Sequence, residues 1–227
     1  MSSKVMETTS LRALLERIAG EYAAAGSIYG IPAEAFREVF ALEAASPGMN
    51  VMGKRVSLPV GPAAGPHTQI APNLVASYLA GSRVFELKTV QQNDALEIGK
   101  PCILALDEGH NTEWSTDLHL EEARGEYLRG WIAVNLLAAI WSPRPTEFAF
   151  NMSVGYTLDG IKTPKMDAFI EGMRAPSRTI PEEWRSMVAE LAAFVEGPAF
   201  LSAFGAEALP KARALAAAVP DAPVHSV

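Results

Sequence analysis

Between Val56 and Val90 the chain reads strand, helix, strand. That order in so short a span is the size of one βαβ unit, whose two strands must run parallel. Val56-Ser57-Leu58-Pro59-Val60 is short, apolar and partly β-branched, and it runs into Gly61-Pro62-Ala63-Ala64-Gly65-Pro66, a loop of minimal side chains. Pro72 suits the first turn of a helix through Leu74, Val75, Tyr78 and Leu79, and Gly81 suits its end. Val84–Val90 follows as the second strand. A parallel pair of this kind commits the chain to an α/β fold with helices covering the sheet.

The rest of the sequence continues the alternation. Ser10 is a candidate N-cap for a helix that puts Leu11, Leu14, Leu15, Ile18 and Tyr22 on one stripe. A second helix is expected from Ile31-Pro32 to Leu42, and Ser46-Pro47-Gly48 marks a turn. Residues 1–45 form an N-terminal helical extension placed to cover a barrel floor, and residues 46–227 form a partial barrel. Residues 91–114 make a long connection, of a length compact domains keep for functional loops. A strong helix is predicted from near Ser115 to Trp141, stopped by Pro143 and Pro145. Phe148–Gly155 reads as the third strand, and helices open at Thr163-Pro164, at Pro181 and in the Ala-rich stretch 206–219. Val224–Val227 resembles the opening of a fourth strand, so the expectation is about three βα units of a larger barrel.

Composition narrows the function classes. The net charge of −7, with no basic stripe, argues against nucleic-acid binding. No apolar run reaches the ~18 residues of a membrane span, and Met1-Ser2-Ser3-Lys4 does not open a signal peptide. The single cysteine, Cys102, allows no internal disulfide, so a reduced, cytoplasmic setting is expected.

Several residues could carry chemistry. Ala63, Ala64 and Gly65 let backbone groups approach a flat ring or a phosphate, although a plain tight turn explains them equally well. Lys88 closes an otherwise apolar strand, where a buried cation needs an anion or an electron-rich ring. Strand alternation puts Glu86 on the same side as Lys88, so an internal ion pair is the structural alternative. Asn111 offers both a donor and an acceptor to a heterocycle edge, though a capping turn suits it better when it is taken alone. Asn151 and Ser153 share one face at the end of strand three, toward a barrel mouth or toward strand-end backbone. His110 with Glu113, and His119 with Glu122, lack the two-histidine spacing of a zinc helix. Asp107-Glu108 is an undistinguished loop pair, and Cys102 reads as packed.

Four ordered motifs carry a family resemblance: Pro59–Gln69, Glu86–Val90, Asn111–Thr116 and Phe150–Tyr156. Together they resemble the N-terminal part of the selenate reductase subunit family, whose first domain is similar to dihydroorotate dehydrogenase. The resemblance implies a (β/α)8 TIM barrel that binds FMN, of which this chain holds the N-terminal part. It implies that Ala63, Ala64 and Gly65 present backbone to the flavin. Lys88 would stabilise negative charge on the N1–C2 carbonyl side of the reduced ring, and Thr89 would help hold it. It implies that Asn111 contacts flavin or substrate, with Asn151 and Ser153 as further substrate contacts. Iron–sulfur segments and an FAD/NAD(P)-binding domain belong to parts of the family's proteins outside this chain, as does the FMN phosphate site. The implied activity is electron transfer between FMN and a small-molecule substrate or redox partner, completed by the C-terminal remainder of the enzyme. The isolated chain is expected to be inactive. The competing readings are a lyase or isomerase acting through Lys88, and a non-catalytic half-barrel that assembles with another chain.

Overall fold

A computed structural model describes residues 8–92, 118–155 and 157–227. The N-terminal region contains α1 (Leu11–Ala25), the two-residue strands β1 (Ser27–Ile28) and β2 (Ile31–Pro32), and α2 (Ala33–Ala45). Next come the antiparallel hairpin β3 (Met49–Val51) and β4 (Lys54–Val56), then α3 (Ala71–Leu79) and β5 (Val84–Glu86). The 22-residue α4 (Leu120–Trp141) leads to β6 (Ala149–Asn151). After it lie α5 (Leu158–Ile161), α6 (Pro164–Arg174), α7 (Pro176–Thr179), α8 (Pro181–Val195), α9 (Pro198–Phe204), α10 (Leu209–Ala217) and β7 (Val224–Ser226). No single helix among the described residues is long and apolar enough to cross a membrane.

β5, β6 and β7 form one parallel sheet in chain order. The first expected strand lies elsewhere than predicted. Its opening residue, Val56, ends the antiparallel hairpin, and the parallel neighbour of β5 is the segment from Val60 to Pro62. Val60 O accepts from Arg83 N (2.8 Å) and Val84 N (3.2 Å), and Pro62 O accepts from Glu86 N (3.1 Å). At Pro62 the pairing is one-sided for a chemical reason: Pro62 offers its carbonyl to β5 but has no N–H to return. Gly61 sits between them because a Cβ there would penetrate the carbonyl of Val84. Four parallel segments in consecutive order make an open arc of a barrel, and among the described residues the sheet does not close.

Helix α4 packs on one face of this arc. Phe85 and Phe150 lie 4.9 Å apart by ring centroid, and Trp131 of α4 meets Phe150 at 5.4 Å and Phe148 at 5.1 Å. Each such ring removed from water contributes on the order of 1.5–3 kcal/mol. Helix α4 is buried around nearly its whole circumference, as its dense apolar sequence requires. Ser10 caps α1 as expected, with Ala13 N donating to Ser10 Oγ at 3.2 Å, and Leu11, Leu14, Leu15 and Ile18 are buried.

At the N-terminal end of the strands α2 meets the sheet through a buried charge pair. Glu43 accepts from Arg83 Nε (3.1 Å) and Nη2 (3.2 Å), from Ser57 Oγ (2.6 Å) and from Ser142 Oγ (2.8 Å). Arg83 also donates to the carbonyls of Tyr78 and Ser82, and its guanidinium lies 4.0 Å from the Tyr78 ring centroid. Both carboxylate oxygens and four of the five guanidinium N–H groups thus have partners. This is how a fully buried charge avoids the desolvation cost of standing alone.

Candidate active site at the strand ends

Parallel strands present all their C-terminal ends at one edge, and that edge gathers most of the residues singled out above. Ala63 and Ala64 follow the Val60–Pro62 segment and are exposed, whereas Gly65 is buried. A 3-10 turn, Pro66–Thr68, closes the loop, with Thr68 N donating to Gly65 O at 2.9 Å. Thr68 O in turn accepts from Lys88 N at 3.4 Å, which ties the small-residue loop to the end of the next strand.

Lys88 is 2% exposed. Its backbone is held from the helix side as well, because Tyr127 of α4 donates its hydroxyl to Lys88 O at 2.7 Å. Tyr127 is wholly buried, and burial followed by the nearby Glu126 pushes its phenol well above the ordinary range. Sequence periodicity had only an apolar position to offer for Tyr127, and nothing in it pointed to this bond.

The strand bearing Lys88 is not regular. Glu86 pairs with Asn151 and Val90 with Val154, so β5 takes four steps where β6 takes three. The extra residue falls at 87–89. Bulges of this kind re-aim side chains and recur beside active sites. Simple alternation therefore does not carry from Glu86 to Lys88. The alternative reading, a Glu86–Lys88 ion pair, is not formed among the described residues; Glu86 Oε1 accepts from Asn151 Nδ2 at 3.1 Å.

Thr89 is half-buried and adjoins Gly155, whose Cβ, were it present, would stand 3.2 Å from Thr89 Cγ2. Ser153 is half-buried, and its carbonyl accepts from Val90 N at 3.1 Å. Asn151 is 3% exposed and also accepts from Ser226 Oγ at 2.7 Å. The loop at 63–65, Lys88, Thr89, Asn151 and Ser153 thus share the C-terminal edge of the sheet, and Asn111 lies outside the described residues. Glu86, which the sequence offers only as an alternative partner for Lys88, and Ser226, which it does not mark, also belong to this edge. Their signal was a polar residue at matching depth in each of the three strands, with His225 a second polar residue in β7.

Other candidates resolve differently. Glu122 Oε2 accepts from His119 N at 2.9 Å, so this pair closes the N-terminus of α4. His110, Glu113, Asp107, Glu108 and Cys102 lie outside the described residues. A groove of about 280 Å³ beside the starts of β6 and β7 is lined by Lys54, Trp131, Phe148, Arg174 and His225. It opens at the opposite end of the strands from Lys88.

Comparison with known proteins agrees with this architecture. Residues 30–215 match the family described as oxidoreductase YgfK, N-terminal TIM-barrel domain. Two Escherichia coli proteins named YgfK, from strains K12 and O157:H7 and provisionally classed as oxidoreductases, are each 44% identical to the chain over 227 residues. The match covers 98% of this chain and 21% of each relative, so the chain spans about a fifth of their length. No solved structure matches. Parallel order, the proline–glycine first segment and a family match over most of the length agree: the chain belongs to the family of the N-terminal TIM-barrel domain of oxidoreductase YgfK.

Proposed function

We propose that this domain is the flavin-ring half of an FMN-dependent oxidoreductase barrel of the dihydroorotate dehydrogenase type, working as part of a longer, cytoplasmic protein. The observation that carries the reading is the convergence at one sheet edge of a small-residue loop, a nearly buried lysine on a bulge and two polar strand-end residues. Such an edge is where barrel enzymes build their sites.

The residues fit the group. Ala63 and Ala64 are exposed and carry no more than a methyl, so a flat ring can lie against their backbone. A cation as enclosed as Lys88 suits the anionic side of a reduced flavin. Ala63, Ala64 and Gly65 would face the ring, Lys88 and Thr89 would hold its polar edge, and Asn111, Asn151 and Ser153 would orient a small substrate. Bound FMN would supply the electron transfer; the chain's own groups bind, orient and balance charge. Iron–sulfur and FAD/NAD(P) centres in the remainder of the protein would pass electrons to or from it. Nothing in the described residues favours selenate over another small substrate.

The test is the flavin content of the longer protein. About one FMN per chain, released on heating, is expected, with occupancy reduced by Lys88→Ala. A folded longer protein that takes up no FMN would overturn the reading.

A further inference from the structure

Glu86, Asn151 and Ser226 are register partners on β5, β6 and β7. Asn151 Nδ2 donates to Glu86 Oε1 at 3.1 Å, and Ser226 Oγ donates to Asn151 Oδ1 at 2.7 Å. Neighbouring residues in a strand point to opposite faces, so Glu86 and Asn151 face away from the Phe85–Phe150 aromatic layer. We propose that Glu86 and Ser226 are positioning residues that fix one orientation of the Asn151 carboxamide, which then meets a ligand at the strand ends through a defined N–H.

The argument is one of donor and acceptor count. An ionised carboxylate only accepts, so the side of Asn151 facing Glu86 must be its nitrogen. The reversed amide would set two oxygens against each other at the same separation. Ser226, whose single hydroxyl proton also has Met52 Sδ within 3.2 Å, adds to this arrangement by donating to the oxygen once Glu86 has set the nitrogen. One amide hydrogen and one oxygen lone pair remain, and these are what Asn151 can offer a ligand. The Glu86–Asn151 pair is also the last regular pairing of β5 with β6 before the bulge at 87–89, so the row anchors β5 just where Lys88 is re-aimed. On the other side the β6–β7 register shifts between Phe150 and Asn151. Contact with a ligand rests on the flavin-site reading above; the fixed orientation does not.

The two parts separate by nuclear magnetic resonance of the 227-residue chain, following the Asn151 side-chain amide, which is assigned by its loss in Asn151→Asp. Glu86→Ala should speed exchange of the Nδ2 protons by about tenfold or more, as expected for losing a hydrogen bond to a charged group. Glu86→Gln retains an acceptor and should keep exchange slow, whereas Glu86→Met fills similar space without one and should exchange as fast as Glu86→Ala, an outcome a purely space-filling role would not allow. Unchanged exchange in Glu86→Ala would overturn the proposal. Should that variant lose its folded backbone spectrum, Ser226→Ala serves instead; faster exchange supports the proposal, and no change overturns it. Added FMN should shift the Asn151 amide signals in the wild type and do so less in Glu86→Ala. Exchange that responds to Glu86 while FMN moves no Asn151 signal would uphold the fixed amide and remove the flavin reading beneath its ligand contact.

Discussion

Replacing Gly61 by alanine tests whether the Val60–Pro62 segment truly serves as the first parallel strand. The new Cβ would enter the carbonyl of Val84, a backbone atom that no rotamer change can move aside. The segment would have to withdraw from β5. Withdrawal forfeits the bonds from Arg83 N and Val84 N to Val60 O and from Glu86 N to Pro62 O. At about 0.5–1.5 kcal/mol net apiece, and with two of the three sharing one acceptor, the loss is roughly 2–4 kcal/mol. The lower chain entropy of unfolded alanine returns about 0.4–1 kcal/mol. A net destabilisation of roughly 2 kcal/mol follows. With a urea m-value of about 2 kcal/mol/M, the unfolding midpoint should fall by roughly 1 M. Tryptophan fluorescence reads the unfolding, since Trp131 packs on Phe148 and Phe150 beside β5. Gly20→Ala is the control: it sits in α1 with open space around its Cβ and should stabilise by up to about 1 kcal/mol. A Gly61→Ala midpoint within about 0.2 M of wild type would refute the strand assignment.

Three further outcomes follow from buried groups. Glu43→Ala leaves Arg83 charged and enclosed, so it should cost about 3–5 kcal/mol by the same urea titration. Tyr127→Phe removes a buried hydroxyl bond to Lys88 O and should cost about 1–2 kcal/mol, with the largest backbone NMR shifts at Lys88 and Thr89. Burial pushes the phenol of Tyr29 up to about 12, and Tyr78 and Tyr127 are raised by the same cause. The folded state therefore holds these protons after the unfolded chain has released them. Stability should be intact below pH 10 and fall as pH rises above it, with the buried phenols ionising only as the chain unfolds. Phenolate absorbance rising smoothly for all tyrosines, without loss of fold, would contradict this.

Parts of the fold could be read from the sequence because their signals are local. The apolar stripe Leu11–Ile18, the Ser10 cap and the proline starts at 164 and 181 each need only a few neighbours to interpret. The first strand was harder. A β-branched apolar run pointed to Val56–Val60, yet Val56 was claimed by the hairpin and the parallel pairing moved on to Val60–Pro62. Proline and glycine normally argue against a strand, and here one-sided pairing at a backbone-to-backbone approach is what tolerates them.

The site shows the same division. Ala63–Gly65, Lys88, Asn151 and Ser153 announced themselves as small or polar residues at strand ends. The Glu86–Asn151–Ser226 row did not, because it depends on the register of three strands far apart in sequence. The bulge at 87–89 was equally hidden: period-2 reading put Lys88 on the Glu86 side, and only the pairing of Val90 with Val154 reveals the extra residue.

The most direct measurement for the flavin reading is a titration of the isotope-labelled 227-residue chain with FMN, following backbone amides. Binding should be weak, since the segments of family resemblance do not include a phosphate site. Even so, shifts should concentrate at Ala63, Ala64, Gly65, Thr89 and Ser153 and should diminish in Lys88→Ala. Shifts confined to the Lys54–Arg174–His225 groove at the other end of the strands, or no shifts at millimolar FMN, would contradict a flavin site at Lys88.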